Sequence, residues 1–101
     1  MEQLTSTEVS AALNDWLGAT GIVEVSRDQP NGRITGWIMH PDFTGVSIAE
    51  RQSWLWNGFG EEGHFKRWSG LRGTFQDRTT QIGLILTYSP AEYEDALDET
   101  A

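Results

Sequence analysis

One spacing recurs along this chain and divides it: Thr5 with Glu8, Ser47 with Glu50, Ser89 with Glu92. A hydroxyl followed three residues later by a carboxylate marks a helix start. The hydroxyl oxygen can accept the N3 amide while the carboxylate reaches back to the N-cap amide. Three helices are therefore expected, opening after Thr5, Ser47 and Ser89, the last reinforced by Pro90 at its first position. In the first, Val9, Ala12, Leu13, Trp16 and Leu17 follow the i, i+3, i+4, i+7, i+8 pattern. Residues 5–17 thus present one apolar face until Gly18 and Gly21 end it. The second is expected to run to about Phe59, where Gly58, Gly60 and Gly63 interrupt it. Its apolar arc passes through Ile48, Leu55 and Phe59, with Ala49 and Trp56 beside it, and leaves Trp54 off the arc with Arg51 three residues before.

Between these helices the apolar period shortens to two. Residues 22–26 read as a strand, Asp28 to Gly32 as a turn cluster, and residues 33–39 as a second strand, which together make a hairpin. If Ile34, Gly36 and Ile38 face the helices, Thr35 and Trp37 lie on the opposite face, and a sheet covered on one side leaves that Trp partly exposed. Residues 82–88 form the clearest strand, with Ile82, Leu84, Leu86 and Tyr88 expected on one face and Gly83 and Ile85 on the other. Residues 64–80 are expected to form a short helical or irregular excursion through His64 to Trp68, then a turn around Gly70 and Gly73. The order is α-β-β-α-(insert)-β-α, which fits an α+β fold: a three-stranded mixed sheet with helices on one face.

The chain has 101 residues and is 38% hydrophobic with five Trp, enough for one domain and one modest core. No stretch approaches the roughly 20 apolar residues that span a bilayer, and no basic-then-apolar leader opens the chain. With no Cys there is neither a disulfide nor a thiolate ligand or nucleophile, and the cytoplasm is the expected compartment. The net charge of −8 argues against general affinity for nucleic acid or anionic membranes. That charge is uneven. Lys66, Arg67, Arg72 and Arg78 against Asp77 leave residues 63–80 at +3, so the remainder carries −11. Glu92, Glu94, Asp95, Asp98 and Glu99 contribute to it, and residues 95–101 are expected as a disordered, solvated tail.

Two segments carry a family resemblance. Pro41-Asp42-Phe43-Thr44-Gly45-Val46-Ser47, followed by Glu50 and Arg51, resembles the BolA signature, in which a Phe-x-Gly-x-Ser loop leads into a helix bearing an Arg. Leu84 to Tyr93, with Ser89-Pro90-Ala91-Glu92-Tyr93 at its end, resembles that family's closing strand and its Thr-Pro-Glu-Glu-Trp ending. The resemblance covers most of the chain outside residues 60–79, where this sequence is longer than the family norm. It implies a KH-like fold, a monothiol glutaredoxin as partner, a shared 2Fe–2S cluster and, in some members, DNA binding with stress-linked gene control. The cluster depends in the family on a His near the start of the last strand. Gln81 stands at that position here, and a carboxamide is a poor iron ligand. The family's second ligand would fall in Asp28 to Gly32, which holds neither His nor Cys. The resemblance therefore implies a divergent member with no cofactor and no metal site.

The residues themselves assemble no catalytic constellation. Ser47 and Ser89 read as helix caps, and the acid runs lack a companion base. His40 and His64 read as exposed loop histidines. Gly70-Leu71-Arg72-Gly73 matches the bare Gly-x-x-Gly of nucleic-acid-binding KH loops, a weak pattern in a chain with 11 Gly. More informative is the interleaving of Phe65, Lys66, Arg67, Trp68, Arg72, Phe75 and Arg78. It can cover the sheet with its rings while the charges point outward, dock a protein through Trp and Arg anchors, or stack bases and neutralise phosphates. The expectation is a non-catalytic adaptor binding a protein partner through Arg51, Trp54, Lys66, Arg67, Trp68 and Arg72. The alternative is a nucleic-acid-binding regulator using Lys66, Arg67, Gly70, Arg72, Gly73 and Arg78.

Overall fold

The computed structural model describes residues 3–27, 29–59 and 67–100. Helix α1 spans Ser6–Leu17, strands β1 and β2 span Ile22–Arg27 and Ile34–Met39, and a 3-10 turn covers Pro41–Phe43. Helix α2 spans Ile48–Asn57, a short α3 spans Gly70–Phe75, and a second 3-10 segment, Gln76–Gln81, leads into β3, Ile82–Tyr88. Helix α4 spans Pro90–Thr100. The sheet order is β1-β2-β3, antiparallel between β1 and β2 and parallel between β2 and β3. The fold is α+β with a three-stranded mixed sheet.

The helix starts form where the spacing places them. Thr5 and Glu8 make the full reciprocal box on α1. The Ser47 hydroxyl accepts the Glu50 amide. On α4 the Glu92 amide donates to the Ser89 hydroxyl at 3.4 Å, and the Ser89 amide donates to Glu92 Oε1 at 2.8 Å. Each cap satisfies donors that the first helical turn leaves without an internal partner.

The core sits between the helices and one sheet face. Val9, Leu13, Trp16 and Leu17 of α1 meet Ile34 and Ile38 of β2, Ile82 and Ile85 of β3, Leu55 of α2, and Leu71 and Phe75 of α3. Burying one such side chain contributes roughly 1.5–3 kcal/mol, so these residues supply most of the drive to fold. Central β2 leaves no room opposite β1 at Gly36, where a Cβ would lie 1.9 Å from the Glu24 carbonyl oxygen.

The structure corrects several expectations. Strand β3 does not alternate throughout: Ile34 pairs with Ile82 but Gly36 with Ile85, so β3 carries one extra residue there. Such a bulge swaps the faces. Ile82, Ile85 and Thr87 point to the core, while Leu84 and Leu86 stand on the open face. The Gly70–Gly73 segment is helical rather than a turn. Gly70, at φ 82°, is buried so closely against α2 that a Cβ would lie 2.4 Å from the Trp56 carbonyl oxygen. Helix α2 ends at Asn57, and Phe59 forms an isolated antiparallel bridge with Trp68. Its inward positions are Arg51 and Leu55, while Ile48 is exposed. The acidic C-terminal stretch is helical to Thr100 rather than a disordered tail over those residues. The described part of the insert stays out of the sheet and packs α3 on α2.

Candidate interaction surfaces

The described aromatic rings of the insert turn to the core, while its arginines lie toward the surface. Trp68 stacks on Trp16 with centroids 5.4 Å apart and an 11° interplanar angle, and its indole N–H donates to the Leu55 carbonyl at 3.2 Å. Phe75 is buried. These rings serve the core. Arg72 lies over the Trp56 ring at 5.5 Å and donates to Asn57 Oδ1. Arg78 lies over Phe75 at 5.8 Å and reaches Glu8 at 3.4 Å. The Glu8 carboxyl sits below the ordinary carboxylate range, first because it accepts the Thr5 amide and hydroxyl, then because Arg78 is near. Arg67 is exposed, Gly73 is exposed on α3 and Gly70 is buried at the start of the same helix. Lys66, Phe65 and His64 lie outside the described residues.

Two further candidates hold the fold together. Arg51 is 3% exposed. Its Nε donates to the Val46 carbonyl at 2.9 Å, and Nη1 donates to the Thr87 carbonyl at 3.2 Å and to Glu92 Oε1 at 2.6 Å. The guanidinium also lies over the Phe43 ring, 5.7 Å from its centre. Accepting from Arg51, and next from the Ser89 amide, brings the Glu92 pKa down from 4.5 to about 2. Trp54 is half-buried, its ring against Phe43 at 6.4 Å and Phe59 at 5.0 Å. Neither residue is a free surface anchor.

Gln81 has a structural occupation. Its Oε1 accepts the Leu4 amide at 2.7 Å and Arg27 Nη2 at 3.2 Å. The same Nη2 donates to the Leu4 carbonyl at 2.6 Å, and Nη1 donates to the Gly32 carbonyl. The N-terminal segment, the hairpin and the start of β3 are thereby tied at one point.

His40 is buried rather than exposed. Its Nδ1 accepts the Asp42 amide at 3.0 Å, so in the neutral ring Nε2 carries the proton and donates to Thr20 Oγ1 at 3.0 Å. It lines an open cleft of about 420 Å³ with Trp16, Leu17, Gly18, Ala19, Thr20, Pro41 and Asp42. With both ring nitrogens engaged in capping the Pro41–Phe43 turn and bonding Thr20, the imidazole has a structural role. Among the described residues no group of three or more His, Asp or Glu gathers where it could hold a metal ion, and no helix is long and apolar enough to cross a membrane.

The sheet face opposite α1, α2 and α3 carries what the sequence pattern missed. Leu84 is 64% exposed, Leu86 42% and Ile22 41%. Between them stands half-buried Trp37, paired with Glu24 on one side and Leu86 on the other. Tyr93 of α4 leans over this face, its ring 4.9 Å from Trp37 and 6.4 Å from Tyr88. One signal pointed here: Gly83 inside a strand pattern, a common mark of a bulge. The outer edge of β3 is closed differently. Gln52 Nε2 donates to the Ile85 carbonyl at 2.8 Å and Arg51 to that of Thr87. These alternate carbonyls would otherwise offer an edge for strand pairing.

No protein-family model matches the chain, and neither does any curated protein or solved structure.

Proposed function

We propose that this chain is a non-catalytic, divergent BolA-like module that binds a protein partner on the open face of its sheet. The observation that carries this reading is the exposed apolar row of Leu84 and Leu86 beside Trp37, on a face that no helix among the described residues covers except where Tyr93 crosses it. Contiguous exposed apolar surface rimmed by polar groups marks interaction sites, and aromatic residues anchor them. The buried His40 and Arg51, two polar side chains a catalytic reading would turn to, are both engaged in holding the chain. The partner suggested by the resemblance is a monothiol glutaredoxin, joined without a His-ligated cluster because Gln81 replaces the imidazole.

The test is an anaerobic mixture with a monothiol glutaredoxin, iron and sulfide, followed by gel filtration and visible absorption. Wild type is expected to co-elute without the spectrum of a His-ligated cluster, and the double variant Leu84→Glu/Leu86→Glu to elute apart. Co-elution of the double variant would move docking off this face. No complex at all would remove the glutaredoxin as partner. Salt-sensitive nucleic-acid binding that disappears with Arg67→Ala/Arg72→Ala would favour the basic segment instead.

A further inference from the structure

We infer that the open face accepts a basic amphipathic helix presented by its partner; this rests on the docking reading above and adds the shape and charge of what docks. The shape follows from the width of the sheet. Three strands span about 10 Å from β1 to β3, close to the diameter of one α-helix with its side chains. One helix laid across the face would complete the second layer that a half-covered sheet lacks. A partner strand is disfavoured at the β3 edge because Gln52 and Arg51 already hold the Ile85 and Thr87 carbonyls.

The charge follows from the rim. Glu24 stands exposed on β1 directly across from Trp37. Glu94 stands exposed on α4, about 100° round the helix from the Tyr93 that overhangs the same face. Arg33, whose stem lies alongside Gly83, is a cation at the Leu84 end. An apolar stripe flanked by Lys or Arg can therefore lie on Leu84, Leu86 and Trp37 with its charges meeting Glu24 on one side and α4 on the other. A second copy of this chain is the poorer occupant: each carries −8, and the repulsion acts over about 10 Å at moderate salt.

The experiment uses the full chain, isotopically labelled, with two synthetic amphipathic helices of about 18 residues built from Leu and Lys or from Leu and Glu. Amide shifts should map the Lys peptide to β1–β3 and Tyr93, with at least about tenfold tighter binding than the Glu peptide. Leu84→Glu/Leu86→Glu should weaken it by about tenfold or more, and Glu94→Lys by a few-fold, an effect that fades with salt. Equal or tighter binding of the Glu peptide would overturn the basic-helix inference, as would failure of the Lys peptide to shift the sheet. The docking reading would then still stand or fall on the glutaredoxin elution. A concentration-dependent dimer of the free chain, broken by the double Leu variant, would assign the face to a second copy and overturn the inference. The wild-type shift map does not depend on any variant folding.

Discussion

Arg27 and Arg51 each leave water to tie one end of the chain to the sheet, yet their charges are met in different ways. Among the described residues Arg27 is met by neutral oxygens: the Gly32 and Leu4 carbonyls and the Gln81 carboxamide. Arg51 is met by the Val46 and Thr87 carbonyls and by the Glu92 carboxylate, and it is almost wholly buried. The first knot fastens the segment before α1, and the second fastens α4. Among the described residues only the second holds an acceptor that titrates in acid. Glu92 also takes the Ser89 amide, so one carboxylate serves both the helix cap and the ion pair. The N-terminal knot should therefore be indifferent to acid, while the C-terminal one should loosen as Glu92 takes up a proton.

The largest effect should separate the two arginines directly. Arg51→Ala removes a buried cation, uncovers the Thr87 and Val46 carbonyls and leaves a gap over Phe43. It should cost about 3 kcal/mol in urea unfolding at neutral pH. Arg27 is half-buried and better able to be replaced by water, so Arg27→Ala should cost about 1–2 kcal/mol. Equal losses would mean that burial does not distinguish the knots.

The next effect sharpens the contrast with pH. A carboxylate whose folded pKa lies below its unfolded value contributes stability that is present above the unfolded pKa and lost as pH falls through the folded one. For Glu92 that window runs from about 4.5 down to about 2. Its side chain is 43% exposed, so solvent screens the pair, and the loss across the window should be about 1 kcal/mol. Glu92→Gln should cost about 1 kcal/mol at neutral pH. The difference between wild type and variant should close as the pH approaches 2. Amide exchange in α4 should rise in the same window while exchange at Leu4 does not. A gap that stays constant with pH would show that the pair is not what titrates.

The caps at Thr5, Ser47 and Ser89 were legible because they are local: three residues decide them. So were the hairpin, β3 as a strand and the open-face position of Trp37. What escaped was set by distant partners. Arg51 looks like a surface residue on any helical wheel, and its acceptors Thr87 and Glu92 lie 36 and 41 residues away. The face of Leu84 and Leu86 turned on one extra residue in β3, which reverses a period-two pattern without altering its composition. The aromatic insert residues left covering the core and docking a ligand as open readings, and for Trp68 the stacking on Trp16 decides for the core. His40 looked like an exposed loop histidine because the Thr20 that receives it belongs to another loop.

The smallest effect tests the N-terminal knot and the BolA resemblance together. Gln81 serves as an acceptor at two donors, so its place at the start of β3 is held by the Leu4 amide and Arg27 rather than open to a ligand. Gln81→His restores the residue type that the BolA resemblance leads one to expect there. An imidazole nitrogen can replace the carboxamide oxygen at only one of those donors with good geometry, so the variant should lose about 1 kcal/mol. The loss should grow as the pH drops below neutrality, because a protonated ring beside the Arg27 guanidinium places two like charges together and destabilises the folded state at the acid side. That pH trend is opposite in origin to the Glu92 one, since here a new cation is repelled rather than an old anion discharged. Thermal melts at pH 5 and pH 8 compare the two. If Gln81→His with a monothiol glutaredoxin, iron and sulfide develops a His-ligated cluster spectrum that wild type lacks, the position corresponds to the family's ligand. A stable variant with no cluster would leave Gln81 as a structural tie alone, and the resemblance at this end of the chain would rest on the Ser89-Pro90-Ala91-Glu92 cap.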